Sequence, residues 1–183
     1  MSPLPIDLED GVLLRRLRPD EAPTIFAAVE ANRDRLNPWM PWAGHTRSVQ
    51  DQQAWLDKVL SAEDNYDGTG LFVDGRYGGG IGLTVGPFGV GGEIGYWVTR
   101  EFEGRGYVTR GVEAFIAMGF EELGLHRIVI RAGVDNVRSR AIPERLGFTQ
   151  EGVMRGEGKG SDEYGFHDLV VYGLLEDEWR ARR

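Results

Sequence analysis

The residues best suited to chemistry lie in a short loop that follows the sequence EIGYWVT and precedes an apolar helical pattern. This loop contains Gly104 and Gly106, with Arg105 between them. Glycines allow a backbone to approach a ligand closely, and the free amides at the start of a helix donate hydrogen bonds to anionic oxygens. The pattern therefore predicts a phosphate-binding loop, with a loop that simply turns the chain as the alternative. It is neither a Walker loop, which ends in Gly-Lys-Ser/Thr, nor a dinucleotide fingerprint, which has a third glycine.

The composition of the chain excludes several other chemistries. The chain has 183 residues, no cysteine and three scattered histidines, which are His45, His126 and His167. Cysteine nucleophiles and thiolate metal sites are therefore excluded, and we expect no bound metal. A formal net charge of −8 disfavours nucleic acid as a partner. The acidic N-terminal sequence is unlike a signal peptide, and no run reaches the roughly 18 apolar residues of a membrane span, so we expect a cytoplasmic protein with no membrane partner.

The elements that must position the loop follow from the spacing of the apolar residues. Helical spacing predicts two helices after a first strand over 13–17, the second of them starting at Ser48. From Gly70 the period becomes that of strands, with a hairpin turn at Asp74-Gly75. Further strands are predicted over 71–73, 81–85, 93–99, 126–134, 148–154 and 167–175, and further helices over 112–123 and 136–146. This order predicts a mixed sheet flanked by helices, of the α/β or α+β class, in a single domain over residues 1–183.

The glycine loop does not stand alone in the sequence. It lies between the strand EIGYWV and the later segment FEELGLHRIVIRAGVDNVRSRAIPERLGF, and the three together resemble the GNAT superfamily of acetyltransferases, in its RimJ/RimL branch. The resemblance is dense from Glu93 to Leu175. It implies a twisted, mixed, mostly antiparallel sheet that is split by the diphosphate of CoA. It also implies that the pantetheine arm runs beside the strand that ends at Trp97 and Val98, which makes both residues part of the cofactor site.

The loop pattern of this family, Gln/Arg-x-x-Gly-x-Gly/Ala, can be placed on consecutive residues of the chain. By the resemblance, the CoA-binding loop consists of Glu103, Gly104, Arg105, Gly106, Tyr107 and Val108. Two of these depart from the pattern, because Glu103 replaces a basic or amide residue and Val108 replaces a small one. Since backbone amides make most of the contacts in this motif, we expect CoA binding to persist. A Glu103 carboxylate that faced the phosphates would lower the affinity.

The resemblance assigns three more residues to the CoA site. Asn136 resembles the residue that hydrogen-bonds the pantetheine arm, Ser139 the hydroxyl near the CoA sulfur, and Arg140 a residue that reaches toward the nucleotide. The simpler interpretations are an N-cap for Asn136, a helix-surface serine for Ser139 and a solvated charge for Arg140.

The resemblance also indicates where the acceptor binds. Glu157 follows the predicted strand 148–154, where this branch has an acid, and we predict that it is the general base and acts through water. We expect its surroundings, residues 156–163, to be a mobile polar loop, in which a solvated charge is the alternative. Trp39 and Trp42 resemble the loop beside the acceptor, with a packed aromatic lid as the alternative. His167, next to Asp168, is a further candidate for substrate binding.

These residues predict transfer of an acetyl group from acetyl-CoA to an amine by direct attack on the thioester. Ser139 would donate a hydrogen bond to the departing sulfur, and the backbone amide of Val98 would polarise the thioester carbonyl. The acceptor is a protein N-terminal α-amine or a small-molecule amine, and another donor such as succinyl-CoA is an alternative. A sensor that binds acyl-CoA without turnover is a second class of function, favoured by Glu103 and by the absence of an obvious base. The resemblance is compatible with a homodimer.

Overall fold

The computed structural model describes residues 4–61 and 66–183, and its centre is a mixed sheet of eight strands. The strands are β1 (Ile6–Asp7), β2 (Val12–Arg16), β3 (Thr69–Val73), β4 (Arg76–Val85), β5 (Gly91–Val98), β6 (Arg127–Gly133), β7 (Thr149–Lys159) and β8 (Phe166–Leu175). They lie across the sheet in the order β1-β2-β3-β4-β5-β6-β8-β7. The predicted mixed, mostly antiparallel sheet is therefore confirmed.

The sheet opens between its two parallel strands. Every neighbouring pair is antiparallel except β5 and β6. These two strands pair from Gly91 opposite Arg127 only as far as Glu93 opposite Val129, although both continue. Beyond that point their facing edges carry backbone amides and carbonyls that the ladder does not use. Ligands of open α/β sheets commonly bind in a crevice of this kind, near the carboxyl ends of the strands.

Helices cover both faces of the sheet. They are α1 (Ala22–Glu30), α2 (Arg33–Leu36), α3 (Pro41–His45), α4 (Val49–Ser61), α5 (Tyr107–Ala117), α6 (Val137–Arg145) and α7 (Glu176–Arg180). Phe115 of α5 is buried on one face, whereas Ile25 of α1 and Leu56 of α4 are buried on the other. Because successive side chains of a strand point to opposite faces, Tyr96 of β5 packs with the first cluster and Trp97 with the second. Strand β5 therefore presents a different surface to each side of the opening.

Local signals in the sequence correctly predicted one hairpin turn and the start of one helix. Asp74 and Gly75 have φ of 49° and 75° and join β3 to β4 in the expected hairpin. The Ser48 hydroxyl accepts a 3.1 Å hydrogen bond from the amide of Asp51, and α4 begins at the next residue after Ser48. Both signals depend on neighbouring residues alone, which is why they could be read without the fold.

The loop predicted over residues 156–163 is wrong for residues 156–159, which belong to β7, and correct for residues 160–163, which lie between β7 and β8. Strand β7 does not end at residue 154 but continues to Lys159, and its register against β8 shifts between Met154 and Gly158. Glu157 lies in this bulged part of the strand, where the amide of Gly156 donates a 2.8 Å hydrogen bond to the Asp168 carboxylate. The glycines suggested a loop, but pairing with β8 holds them in a bulged strand.

Among residues 4–61 and 66–183, no helix is long and apolar enough to cross a membrane.

Candidate active site

The glycine loop lies at the end of β5 and leads into α5. Phe102, which is buried, anchors the loop from below, and its ring lies 6.3 Å from that of Tyr107. Gly104 and Gly106 have φ of 70° and 77°, a region that side chains rarely adopt. A Cβ added to either glycine would meet no atom within 4 Å, so open space adjoins both. The first amides of α5 lack partners within the helix and are available to an anion.

A cleft of ≈ 770 Å³ begins at this loop and continues along β5 toward α6. It brings together most of the residues that the resemblance placed in the cofactor site. The predicted residues that line it are Trp39, Trp97, Val98, Glu103, Gly104, Gly106, Tyr107, Val108, Asn136 and Ser139. Arg105 is exposed beside the loop, with its guanidinium 5.9 Å from the Phe102 ring, and is not among the lining residues.

Glu103 does not present an unpaired carboxylate to the cleft. Its Oε1 accepts a hydrogen bond from Arg35 of α2, and its Oε2 accepts one of 3.1 Å from Arg138 of α6. All three residues line the cleft. Arg35 and Arg138 could not be placed at the loop from the sequence, because no local pattern indicates that residues so far apart meet there.

The start of α6 is tied to β5 inside the cleft. The Asn136 Oδ1 caps the helix by accepting a 3.2 Å hydrogen bond from the Ser139 amide, which leaves its Nδ2 as the group that a ligand would meet. The Ser139 hydroxyl lies 3.3 Å from the Tyr96 hydroxyl, which itself donates to the Ser139 carbonyl. Burial raises the pKa of Tyr96 to about 12, so the phenol stays neutral near pH 7. Tyr96 is a further residue of the site that was not predicted, although strand alternation places it on this face.

Arg140, which the resemblance directs toward the nucleotide, is bonded to groups of the fold itself. Its guanidinium donates to the Tyr172 hydroxyl at 3.0 Å and to the Val134 carbonyl at 2.9 Å, and it lies 3.5 Å from Glu144. The Tyr172 hydroxyl in turn donates to Glu144 at 2.6 Å. These bonds hold α6 against β8, and Arg140 is not among the residues that line the cleft. The alternative interpretation of Arg140 as a solvated charge is incomplete, because Arg140 is part of a structural hydrogen-bond network.

A second pocket of ≈ 270 Å³ lies on the other side of β5, against α1 and α4. Five aromatic residues line it, which are Trp42, Trp55, Tyr77, Tyr96 and Trp97, and the Trp97 ring is 6.0 Å from both Trp42 and Tyr77. Two carboxylates also line it, from Asp67 and Glu93. The cleft and this pocket share Met40, Tyr96 and Trp97. The two cavities therefore adjoin at the part of β5 that no longer pairs with β6.

The other predicted acceptor residues are divided between the two cavities. Trp42 lines the aromatic pocket, whereas Trp39 lines the cleft. His167 lines neither cavity and packs edge-on against Trp39, with ring centroids 5.6 Å apart. Gly133 gives the Trp39 ring room, because a Cβ there would lie 2.7 Å from it. His167 therefore positions a wall of the cleft.

Glu157 is exposed and is not among the lining residues of either cavity. It lies close enough to Arg131 of β6 for its charge to act on that guanidinium. Arg131 donates to both carboxylate oxygens of Glu93, at 2.9 and 2.6 Å, and these bonds are the main cause of its raised pKa. Arg131 is therefore the link between Glu157 and the carboxylate that lines the aromatic pocket.

An opened sheet, a glycine loop at the opening and cavities on both sides of β5 define the architecture of the acetyltransferases that the sequence resembles. A family model described as an acetyltransferase (GNAT) domain matches residues 12–149. The chain belongs to the GNAT acetyltransferase family.

Similar proteins extend over nearly the whole chain. The putative ribosomal N-acetyltransferase YdaF of Bacillus subtilis (strain 168) is 35% identical over 181 residues, which cover 96% of this chain and 97% of that protein. The ribosomal-protein-serine acetyltransferase of Escherichia coli (strain K12) is 30% identical over 175 residues, which cover 94% and 97%. A solved structure of a probable acetyltransferase has a TM-score of 0.85 at 32% identity, covering 97% of this chain and 100% of that one. The structure of RimL, a ribosomal L7/L12 alpha-N-protein acetyltransferase in complex with CoA, shares the fold, with a TM-score of 0.87 at 21% identity over 96% of this chain and 99% of that one.

Proposed function

We propose that the protein transfers an acetyl group from acetyl-CoA to the α-amine of a polypeptide N-terminus, with a small-molecule amine as the second candidate acceptor. The observation that carries the proposal is the meeting of two cavities at Tyr96 and Trp97. One cavity starts at an anion-binding loop and suits the donor, and the other is aromatic and acidic and suits an amine. The names of the relatives in Bacillus subtilis and Escherichia coli support a ribosomal protein as acceptor.

The residues of the cleft fit CoA. The free amides at the start of α5 and the space beside Gly104 and Gly106 suit a diphosphate. The edge of β5 beyond Glu93 offers backbone donors and acceptors to the amides of a pantetheine arm, as an unpaired strand offers them to a peptide. The bound donor supplies an activated thioester. The family membership and the paired carboxylate of Glu103 favour this enzyme over a sensor without turnover.

The aromatic pocket suits the acceptor. The faces of Trp42 and Trp97 stabilise a cation by its attraction to the ring quadrupole. Asp67 and Glu93 add polar carboxylates to the lining, although Glu93 is already paired with Arg131. The amine must lose a proton before it attacks. An α-amine has an unperturbed pKa of about 8, so deprotonation near pH 7 costs about 1.4 kcal/mol, against roughly 4–5 kcal/mol for a lysine at 10.4. An acceptor site without a strong base therefore favours the α-amine.

Two side chains take part in the proton and charge movements. We propose Glu157 as the base that accepts the amine proton through water, because the branch that the sequence resembles has an acid after the strand predicted over 148–154. A water has to connect the amine to Glu157, since Glu157 lines neither cavity. Ser139 donates a hydrogen bond to the sulfur as its negative charge develops, after its hydroxyl turns away from Tyr96. Asp168 holds the Gly156 amide and so positions the bulge that carries Glu157. The backbone amide of Val98 polarises the thioester carbonyl.

A panel of peptides and small amines, incubated with acetyl-CoA and analysed by mass shift, tests the proposal. We expect peptides with a free N-terminus to gain an acetyl group and to release CoA in equal amount. Succinyl-CoA in a parallel series tests the alternative donor. CoA binding without acetylation of any amine in the panel would contradict the proposal and favour the sensor.

A further inference from the structure

Glu103 stands at the cleft between two arginines that come from distant parts of the chain. Arg35 lies on α2 and donates to one carboxylate oxygen, and Arg138 lies at the start of α6 and donates to the other at 3.1 Å. Glu103 is immediately followed by Gly104, at which the loop begins to expose its amides. A carboxylate therefore lies beside the surface at which the phosphates of CoA are expected to bind.

The surroundings of Arg35 carry an excess of positive charge. Arg100 lies near it and pairs with Asp34 at 3.1 Å, so three guanidinium groups here face two carboxylates. The Arg35 side chain is 22% exposed and that of Glu103 is 26% exposed. Burial, together with the charges of Arg100 and Arg138, lowers the pKa of Arg35. A half-buried cation among other cations requires an anion next to it, and in the free protein Glu103 is that anion.

The geometry points to a phosphate-binding subsite formed by Arg35 and Arg138, in which Glu103 is an internal counter-ion that a phosphate group of CoA replaces. Guanidinium groups bind carboxylate and phosphate in the same planar, two-pronged manner, so one can take the place of the other. The family pattern has glutamine or arginine where this chain has Glu103. The glutamate stabilises the subsite in the free protein, and it lowers the affinity for CoA because a phosphate must displace it. Release of the CoA product is faster for the same reason.

Calorimetric titration of CoA into the purified protein tests the subsite without turnover, so its outcome is separate from that of the proposed acetylation. Glu103→Gln removes the competing charge, and we expect the dissociation constant of CoA to fall roughly tenfold, the effect of one charge interaction at a half-exposed site. Glu101→Gln is the matched control, since Glu101 is exposed, lies two residues away and pairs only outside the subsite, with Arg76 at 2.5 and 2.7 Å. We expect that control to leave the constant unchanged.

Arg138→Met gives a second test that does not endanger the fold, because this side chain is 83% exposed. We expect it to raise the dissociation constant of CoA, by more in the Glu103→Gln background than in the wild type. The same titrations with 3′-dephospho-CoA identify the phosphate. If the substitutions change the dissociation constant of 3′-dephospho-CoA as they change that of CoA, the subsite binds the diphosphate. If they no longer change it, the subsite binds the 3′-phosphate. Weaker or unchanged CoA binding by Glu103→Gln, or unchanged binding by Arg138→Met with both ligands, would overturn the subsite.

Discussion

The hydroxyl of Tyr96 donates a 2.9 Å hydrogen bond to the backbone carbonyl of Ser139, and the Ser139 hydroxyl lies 3.3 Å from the Tyr96 hydroxyl oxygen. The bond connects β5 to the first turn of α6 across the cleft. The position of Ser139 in the cleft thus depends on a tyrosine of the opened strand. Because burial raises the pKa of Tyr96 to about 12, its hydroxyl proton remains available for this bond near pH 7.

Ser139→Ala is expected to lower kcat about tenfold while the dissociation constant of CoA changes little. The hydroxyl stabilises charge that develops on sulfur during the reaction, so its loss raises the barrier and leaves ground-state binding intact. Steady-state kinetics together with CoA titration measure the two effects separately. Normal turnover by the folded variant would show that Ser139 serves the helix alone.

Asn136→Ala is expected to act mainly on binding and stability. Loss of the cap costs the start of α6 roughly 1 kcal/mol, which thermal unfolding detects. Loss of the Nδ2 donor should raise the dissociation constant of CoA, with kcat affected less than in Ser139→Ala. Wild-type affinity in a variant with lowered stability would reduce Asn136 to a cap.

Gly106→Val is expected to weaken CoA binding strongly, because the new side chain fills the space beside the loop and strains a residue with φ of 77°. Gly75→Val is the matched control, since Gly75 has φ of 75°, equally open surroundings and a position in the hairpin between β3 and β4. Both variants carry similar backbone strain, but only the first should lose affinity. If the two folded variants had the same dissociation constant for CoA, the glycine loop would not be part of the donor site.

Glu157→Gln is expected to reduce kcat roughly tenfold to a hundredfold, the lower range of general-base effects, with its largest effect at low pH. Glu93→Gln should instead raise the KM for the amine, because Glu93 lines the acceptor pocket. Glu163→Gln is a control for a charge change at an exposed position nearby. If Glu157→Gln were as active as Glu163→Gln, a group other than Glu157 would be the base.

Matched peptides that leave either the α-amine or a lysine free test the acceptor class. We expect faster acetylation of the α-amine at pH 7, with a rate that rises toward the pKa of the amine, about 8 for an α-amine and 10.4 for lysine. The reason is that Glu157 is exposed and acts efficiently only on an amine that is already partly neutral. Faster acetylation of lysine at pH 7 would contradict both the acceptor and the argument from a weak base.

Features that depend on neighbouring residues could be predicted from the sequence. The glycine loop, the hairpin at Asp74-Gly75 and the cap at Ser48 result from local conformational preferences, and the structure has all three. The strand that ends at Val98 and the helix that carries Ser139 were also predicted nearly in place. The spacing of the apolar residues shows which side of a helix or strand faces the core, whichever element packs against it.

Only the tertiary structure decided what each of these elements meets. Arg35 and Glu103 are paired although 68 residues separate them, and only the packing of α2 beside the loop brings them together. The pairing of β7 with β8 turns an apparent loop at Glu157 into a bulged strand. The sequence by itself determined the family's motifs and the donor loop, because these are local. The charge balance of the donor site and the separation of Trp39 from Trp42 into two cavities depend on contacts between distant segments, which no short-range pattern encodes.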